Sequence, residues 1–214
     1  MSKNWVDSAR ASTALLGAGD GFAAIVENPG ASSPFLLIGD HAGRAVPQAL
    51  GDLGVAAAEF ERHIAWDIGV AGVGHQLAGL LGATFIQQRY SRLVIDCNRD
   101  PTRIDAVPEI SDGAKIPANV GLTAEGRAAR IAAIFAPYHA AIAAELDRRA
   151  AAGLATTVIA LHSFTPAMAG FVRPWRFGVL HQDNSGFSRA ARARLRMAFG
   201  DEVGDNQPYL MDEV

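Results

Sequence analysis

Three apolar runs in the sequence each end in polar residues that could do chemistry. They are "PFLLIGDHAG", "RLVIDCNRD" and "ATTVIALHSFTP", whose polar ends carry His41, Asp96 and His162 among others. Imidazole and carboxylate groups both suit a zinc ion, and a catalytic zinc site needs about three protein ligands and one open position for water. A single cluster of this kind is more often only the start of a loop. Three of them together favour a binding or catalytic site.

The segments that must position these residues alternate between apolar runs and helical spacings. Apolar runs predict strands near residues 34–43, 83–98 and 155–166, the middle one broken near Tyr90. Apolar residues at steps of three and four, together with alanine-rich composition, predict helices over residues 60–82, 123–153 and 188–199. This alternation predicts an α/β fold with a largely parallel sheet.

In open α/β sheets, ligands bind beyond the carboxyl ends of the strands. If the predicted strands are parallel, the polar residues at their ends meet at one edge of the sheet. These residues are Asp40, His41, Asp96, Asn98, Arg99, His162 and Ser163. The competing interpretation is that Arg92, Asp96 and Arg99 form only an ion-pair network, because structural networks also gather charge at strand ends.

The composition excludes several classes of function. The 214 residues are 50% hydrophobic, which is enough to bury the core of a single domain over residues 1–214. A formal net charge of −3 and the lack of any Lys or Arg run argue against a nucleic-acid partner. The sequence has neither the roughly 18 apolar residues of a membrane span nor the apolar core of an N-terminal signal peptide. We therefore expect a cytoplasmic protein without a membrane partner, and a homo-oligomer stays open.

Covalent catalysis by serine or cysteine is disfavoured. No serine lies in a GxSxG context. The single cysteine, Cys97, has Asp96 and Asp100 nearby, and their charges would raise the pKa of its thiol. Cys97 is therefore interpreted as a small packed residue. His75 and His139 fall inside predicted helices and are interpreted as structural.

Several ordered motifs resemble the N-formylglutamate amidohydrolase family. They are "GDHAGRAVP", "HIAWDIGVAGVGHQLAGLLGATFIQQRYSRLVIDCNRDP" and "ALHSFTP", and the resemblance extends over about residues 35–182. Members of that family are similar in fold to zinc carboxypeptidases and aspartoacylase. The resemblance implies a three-layer α/β fold, with a mostly parallel or mixed sheet flanked by helices. It also implies a metal-dependent hydrolase that cleaves a small N-acyl amino acid, such as N-formylglutamate.

The resemblance implies a set of metal ligands. His41 and His162 would bind Zn²⁺, or another divalent metal, and Asp67 on the helix after His41 would be the third ligand. His63 competes with Asp67 for this role, since residues four apart on a helix share a face. The chain departs here from the His-x-x-Glu pattern of zinc carboxypeptidases, because Arg44 stands three residues after His41.

The resemblance also implies substrate-binding residues. The segment "DCNR" is similar to one in zinc carboxypeptidases, so Asn98 and Arg99 would hold the α-carboxylate of the substrate. Arginine suits this role because its planar fork binds a carboxylate through two hydrogen bonds. Arg92 would stabilise the oxyanion that develops at the scissile carbonyl. Asp96 would orient one of these groups.

The general base is the part of this pattern that the sequence does not supply. Zinc carboxypeptidases use a glutamate on a late strand, whereas Glu202 and Glu213 both lie in polar, terminal contexts here. We therefore expect the base beyond the given chain, so that the domain would lack its C-terminal part. Two alternatives to hydrolysis of a small N-acyl amino acid stay open: a non-catalytic amino-acid-binding relative, and a zinc peptidase.

Overall fold

The computed structural model of the chain describes residues 15–209. These residues form ten short strands: β1 Ala24–Glu27, β2 Phe35–Gly39, β3 Thr84–Gln88, β4 Ile110–Ser111, β5 Ala114–Lys115, β6 Thr157–Ala160, β7 Ala167–Met168, β8 Phe171–Val172, β9 Phe177–Val179 and β10 Val203–Asp205. They also form four α-helices: α1 Val70–Leu81, α2 Ala124–Arg130, α3 Ala136–Ala151 and α4 Gly186–Phe199. Within this part of the chain, no helix has both the length and the apolar character needed to cross a bilayer.

A four-stranded sheet, in the order β1-β3-β2-β6, forms the centre of the fold. Strand β2 pairs parallel with both β3 and β6, while β1 pairs antiparallel with β3. The predicted α/β fold with a mixed sheet is therefore confirmed. Because β2 and β6 are parallel neighbours, the chain leaves both strands at the same edge of the sheet.

Helices cover both faces of the sheet. On one face, Leu36 and Ile86 pack in a core with Ile134 and Tyr138 from the segment that contains α3. On the other face, Leu37 and Phe85 pack with Ala78 of α1. Successive side chains of β2 point to opposite faces of the sheet, and helices pack on both faces. The fold therefore has three layers.

Helix α1 approaches the sheet closely because it carries glycine at the contact. A Cβ atom on Gly74 would lie 2.2 Å from the ring of Phe85. Glycine therefore serves packing here, although it lowers helix propensity.

The predicted strand over Arg92–Asn98 is wrong. Leu93 and Val94 are fully buried, as their apolar character suggested, but this segment runs as a series of turns. Its backbone is paired elsewhere: Val94 N–H donates to the Ser91 carbonyl oxygen at 2.9 Å and Asp96 N–H to that of Ala106 at 2.8 Å. Because turns and loops satisfy these groups, the segment needs no strand ladder.

The predicted helix over residues 60–82 begins only at Val70. Asp67 therefore lies in the preceding loop and not on the helix. Carbonyl groups that would start the helix have partners elsewhere, since Ala65 O accepts from Arg92 N–H at 3.2 Å and from the Ser91 hydroxyl at 2.7 Å. His63 and Asp67 consequently do not share a helical face.

The predicted long helix over residues 123–153 is present, with one irregularity. The Thr123 side chain caps its start by accepting a hydrogen bond from Gly126 N–H at 3.1 Å. A π-helical turn, Ile131–Phe135, joins α2 to α3 immediately before Pro137. Proline lacks the N–H that a regular α-helix would use, which explains why the hydrogen-bond pattern changes at this point.

Candidate functional site

The structure brings His41, Asp67 and His162 together. Each offers one ligand atom, and these atoms lie within 4.8 Å of one another. His41 Nδ1 is 3.7 Å from Asp67 Oδ1, and His162 Nδ1 is 3.1 Å from Asp67 Oδ2. His41 and Asp67 are buried, whereas 35% of the His162 side chain is exposed. The group is therefore anchored in the protein and open on the His162 side.

Sheet topology and one loop place these three residues. His41 comes after β2 and His162 after β6, the two parallel neighbours. The loop before α1 is pinned to the sheet edge, because Asp67 N–H donates to the His41 carbonyl oxygen at 2.8 Å. Asp67 Oδ2 also accepts from the Ser163 N–H at 3.1 Å. Asp67 is thus fixed from both strand ends.

Each histidine has a second carboxylate on the far side of its ring. His41 Nε2 lies 2.7 Å from Asp96 Oδ1, and His162 Nε2 lies 3.4 Å from Asp40 Oδ2. An ionised carboxylate can only accept, so each ring nitrogen that bonds to one carries a proton. Nδ1 of both rings then faces Asp67. In metal sites, a ligating histidine commonly donates its other ring N–H to a carboxylate in this way.

The carboxylates shift the pKa of both histidines upward. Burial acts to lower the pKa of His162, but hydrogen bonds to Asp40 and Asp67 raise it to about 9. Burial likewise opposes the charge of His41, and Asp96 and Asp67 overcome it to raise that pKa as well. Burial also acts to raise the pKa of Asp67, yet the two histidines hold it well below its ordinary value. The group therefore concentrates negative charge that protons, or a cation, can balance.

Arg92 lies beside this group. Its Nη2 donates to Asp96 Oδ2 at 2.7 Å, and its Nη1 is 3.7 Å from Asp67 Oδ1. The side chain as a whole is 27% exposed, so Arg92 reaches the surface beside the group. Arg92 is thus both a partner of the buried acids and a donor available at the rim.

Asn98 and Arg99 line a cavity of about 380 Å³ next to the same edge. Arg99 Nε donates to Asp96 Oδ2 at 3.3 Å, and its Nη1 pairs with Asp105. Asn98 N–H donates to Asp96 Oδ1 at 2.9 Å. The cavity is lined by the polar residues Asp40, Asn98, Arg99 and His139, and by Ile38, Cys97, Phe135, Ile142 and Ala160.

Other candidates from the sequence lie elsewhere or have packing roles. His63 Nε2 is 3.7 Å from Asp112 Oδ2, and His63 is not a member of the three-residue group. Cys97 is buried, and burial raises the pKa of its thiol to about 12, which agrees with a packed residue. Glu202 pairs with Arg176, and Glu213 lies outside the described residues.

Sequence reasoning missed two residues at the site. Tyr138 on α3 donates its hydroxyl proton to Asp40 Oδ1 at 2.8 Å. His139, interpreted as structural, lines the cavity and donates from Nε2 to the Cys97 carbonyl oxygen at 2.9 Å. Asp40 itself could be grouped with the site because it directly precedes His41, but nothing in the sequence pairs it with Tyr138.

The family is decided by the match of residues 33–214 to the family model of N-formylglutamate amidohydrolase. The chain belongs to the N-formylglutamate amidohydrolase family. No curated protein matches the sequence. The comparison with solved structures finds a gene product from Agrobacterium tumefaciens that is 37% identical, with a TM-score of 0.86 over 93% of this chain and 79% of that one.

A second similar structure is described as an N-formylglutamate amidohydrolase from Ralstonia eutropha. It is 21% identical to this chain, with a TM-score of 0.61 over 87% of this chain and 77% of that one. At this identity the likeness concerns the fold. It agrees with the mixed sheet flanked by helices that members of the N-formylglutamate amidohydrolase family are expected to share.

Proposed function

We propose that this chain is a zinc-dependent amidohydrolase that converts an N-acyl amino acid, such as N-formylglutamate, to the amino acid and a carboxylic acid. The observation that carries the proposal is the His41–Asp67–His162 group, open on one side, in a member of the N-formylglutamate amidohydrolase family. The "DCNR" segment beside it supports a relation to zinc carboxypeptidases.

The donor set fits zinc, and another divalent ion is the alternative. Two imidazoles and one carboxylate are ligands that zinc accepts in catalytic sites. Both rings direct Nδ1 toward Asp67 while Nε2 faces a separate acid, so neither ring would have to turn for an ion to replace the Nδ1 proton. Zinc bound there would supply Lewis-acid chemistry, polarising the acyl carbonyl and strengthening water as a nucleophile near neutral pH.

The chain's own residues would bind and orient the substrate. Arg99 and Asn98, which line the cavity, would hold the α-carboxylate through charged hydrogen bonds. Arg92, fixed by Asp96, would direct its outward donors at the acyl oxygen, where negative charge develops during attack. Asp96 orients both arginines and His41 through its two carboxylate oxygens.

The volume of the cavity suits a small substrate. A volume of about 380 Å³ is at the small end of the roughly 300–1,000 Å³ of ligand pockets. An amino-acid side chain and its carboxylate would fit such a space, and the apolar walls would surround the carbon chain.

Hydrolysis of N-formylglutamate should be measured after chelation and after return of zinc, in the wild type and in His162→Gln and His63→Gln. His63→Gln is the matched control, because 33% of the His63 side chain is exposed, close to the 35% of His162. We expect chelation to abolish activity, zinc to restore it, and only His162→Gln to lose both metal and turnover. Binding of the amino acid without hydrolysis would instead indicate a non-catalytic relative, and faster cleavage of peptides would indicate a zinc peptidase.

A further inference from the structure

The two histidines of the candidate metal group are supported by different second partners. His41 faces Asp96, whose carboxylate also accepts hydrogen bonds from Arg92 and Arg99. The negative charge of Asp96 is therefore shared with two guanidinium groups. His162 faces Asp40 instead. The described contacts of Asp40 are with His41, His162 and Tyr138, and none of them is a guanidinium group.

Tyr138 is placed to fix the Asp40 carboxylate. Its side chain is completely buried on α3, and its hydroxyl donates to Asp40 Oδ1 at 2.8 Å. The other oxygen, Oδ2, lies 3.4 Å from His162 Nε2. Asp40 is 5% exposed, so its two oxygens are held between the phenol and the imidazole with little access to water.

We propose that Tyr138 and Asp40 are positioning residues for His162: the phenol fixes the carboxylate, which holds the ring with Nε2–H toward Asp40 and Nδ1 on the Asp67 side, where an ion would replace the Nδ1 proton. The inference rests on the proposed metal-binding function. Because the phenol is neutral, it does not compensate the negative charge of Asp40, which acts on His162. Asp40 therefore orients the ring and makes its ligand nitrogen more basic. His162 needs such support because it is the most exposed of the three ligands.

The test is zinc affinity, measured by competition with a chromophoric chelator on Tyr138→Phe and Asp40→Asn. Loss of an outer partner of a metal-ligating histidine typically costs about 10–100-fold in metal affinity. We expect a loss in that range for Asp40→Asn and a smaller but measurable loss for Tyr138→Phe. Tyr90→Phe is the matched control, since Tyr90 is also buried and its hydroxyl donates to the Gly21 carbonyl oxygen at 2.6 Å, away from the histidines.

A second readout separates positioning from general destabilisation. In ¹⁵N NMR spectra of the zinc-loaded protein, the His162 signals should show the Nε2–H form in the wild type and in Tyr90→Phe, and a weakened or mixed pattern in Asp40→Asn. Tyr138→Phe keeps the test valid if Asp40→Asn does not fold. Wild-type zinc affinity and unchanged His162 signals in a folded Tyr138→Phe or Asp40→Asn would overturn this inference alone. A wild-type chain that binds no zinc would overturn the proposed function and this inference together.

Discussion

Arg130, at the end of α2, donates a 2.8 Å hydrogen bond from Nη1 to the carbonyl oxygen of Val94. The same nitrogen donates to Asn119 Oδ1 at 2.7 Å, and Asn119 Nδ2 in turn donates to the Leu93 carbonyl oxygen at 2.9 Å. These buried bonds hold the apolar segment before Asp96 in its turn conformation. Arg92, Asp96 and Arg99 are therefore positioned by side-chain hydrogen bonds to this segment and not by a strand.

Replacing Arg130 with methionine should destabilise the fold strongly. The change keeps an unbranched, largely apolar side chain but removes the guanidinium and leaves two buried acceptors without a donor, and each such group costs about 1–3 kcal/mol. We expect the free energy of unfolding, measured in urea, to fall by about 2–4 kcal/mol. Arg194→Met, on the exposed side of α4, is the control and should change it by less than about 0.5 kcal/mol. Equal effects of both changes would show that the hydrogen bonds of Arg130 do not stabilise the fold.

The positions of His41 and His162 could be predicted from sequence patterns. Each comes after an apolar run that forms a real strand, and parallel neighbouring strands bring the residues at their carboxyl ends to one edge. The same reasoning gave the wrong structure for Leu93–Ile95, because an apolar run reports burial and not backbone hydrogen bonding. Burial of those residues was predicted correctly, and only the structure shows how Arg130 and Asn119 satisfy the nearby carbonyl groups.

The helix predicted around Asp67 was wrong for the same reason. Trp66 and Val70 fit helical spacing, but the backbone between them bonds to His41 and to its own turn. Long-range polar pairs are less accessible still: Tyr138 and Asp40 are 98 residues apart, and neither residue type signals the other. Local patterns therefore predicted the sheet edge at which His41 and His162 lie, while the supporting hydrogen bonds required the three-dimensional arrangement.

Replacing Arg99 with alanine should weaken substrate binding more than folding. A hydrogen bond to a charged group contributes about 1.5–3 kcal/mol, so the affinity for the amino-acid product should fall about ten-fold or more in calorimetric titration. Arg103→Ala is the matched control, because Arg103 also pairs with Asp105 but does not line the cavity. A large drop of the thermal midpoint in Arg99→Ala, without a specific loss of binding, would assign Arg99 to a structural ion pair with Asp96 and Asp105.

Replacing Arg92 with lysine should lower kcat. Lysine keeps the positive charge but cannot bind Asp96 and direct a second donor outward at the same time. Removal of one oxyanion donor typically costs about 10²–10³-fold in kcat, and we expect a fall of that order with little change in KM. Arg89→Lys, whose native side chain donates to the Phe22 carbonyl oxygen, should keep normal kinetics. If Arg92→Lys lost bound metal and kcat in proportion, Arg92 would act only through the buried acids.

The thiol of Cys97 should resist modification in the folded protein. Burial, aided by the charges of Asp40 and Asp96, raises its pKa to about 12, and the side chain is 2% exposed. Only the thiolate is a strong nucleophile, so raising the pKa lowers reactivity at about pH 8. We expect an aromatic disulfide reagent to label the chain fully in denaturant and hardly at all without it. Rapid labelling of the native protein would show that the cavity admits the reagent to an ionised Cys97.

The most direct test of the proposed metal site is a crystal structure with zinc, measured by anomalous diffraction at the zinc absorption edge. We expect one ion bound by His41 Nδ1, a carboxylate oxygen of Asp67 and His162 Nδ1, at about 2.0–2.2 Å from each. Asp96 and Asp40 should accept hydrogen bonds from the two Nε2–H groups in that structure. Three results would contradict the proposed metal site. They are zinc bound through His63, zinc bound through Nε2 of either ring, and a crystal grown with zinc that holds no ion between these three residues.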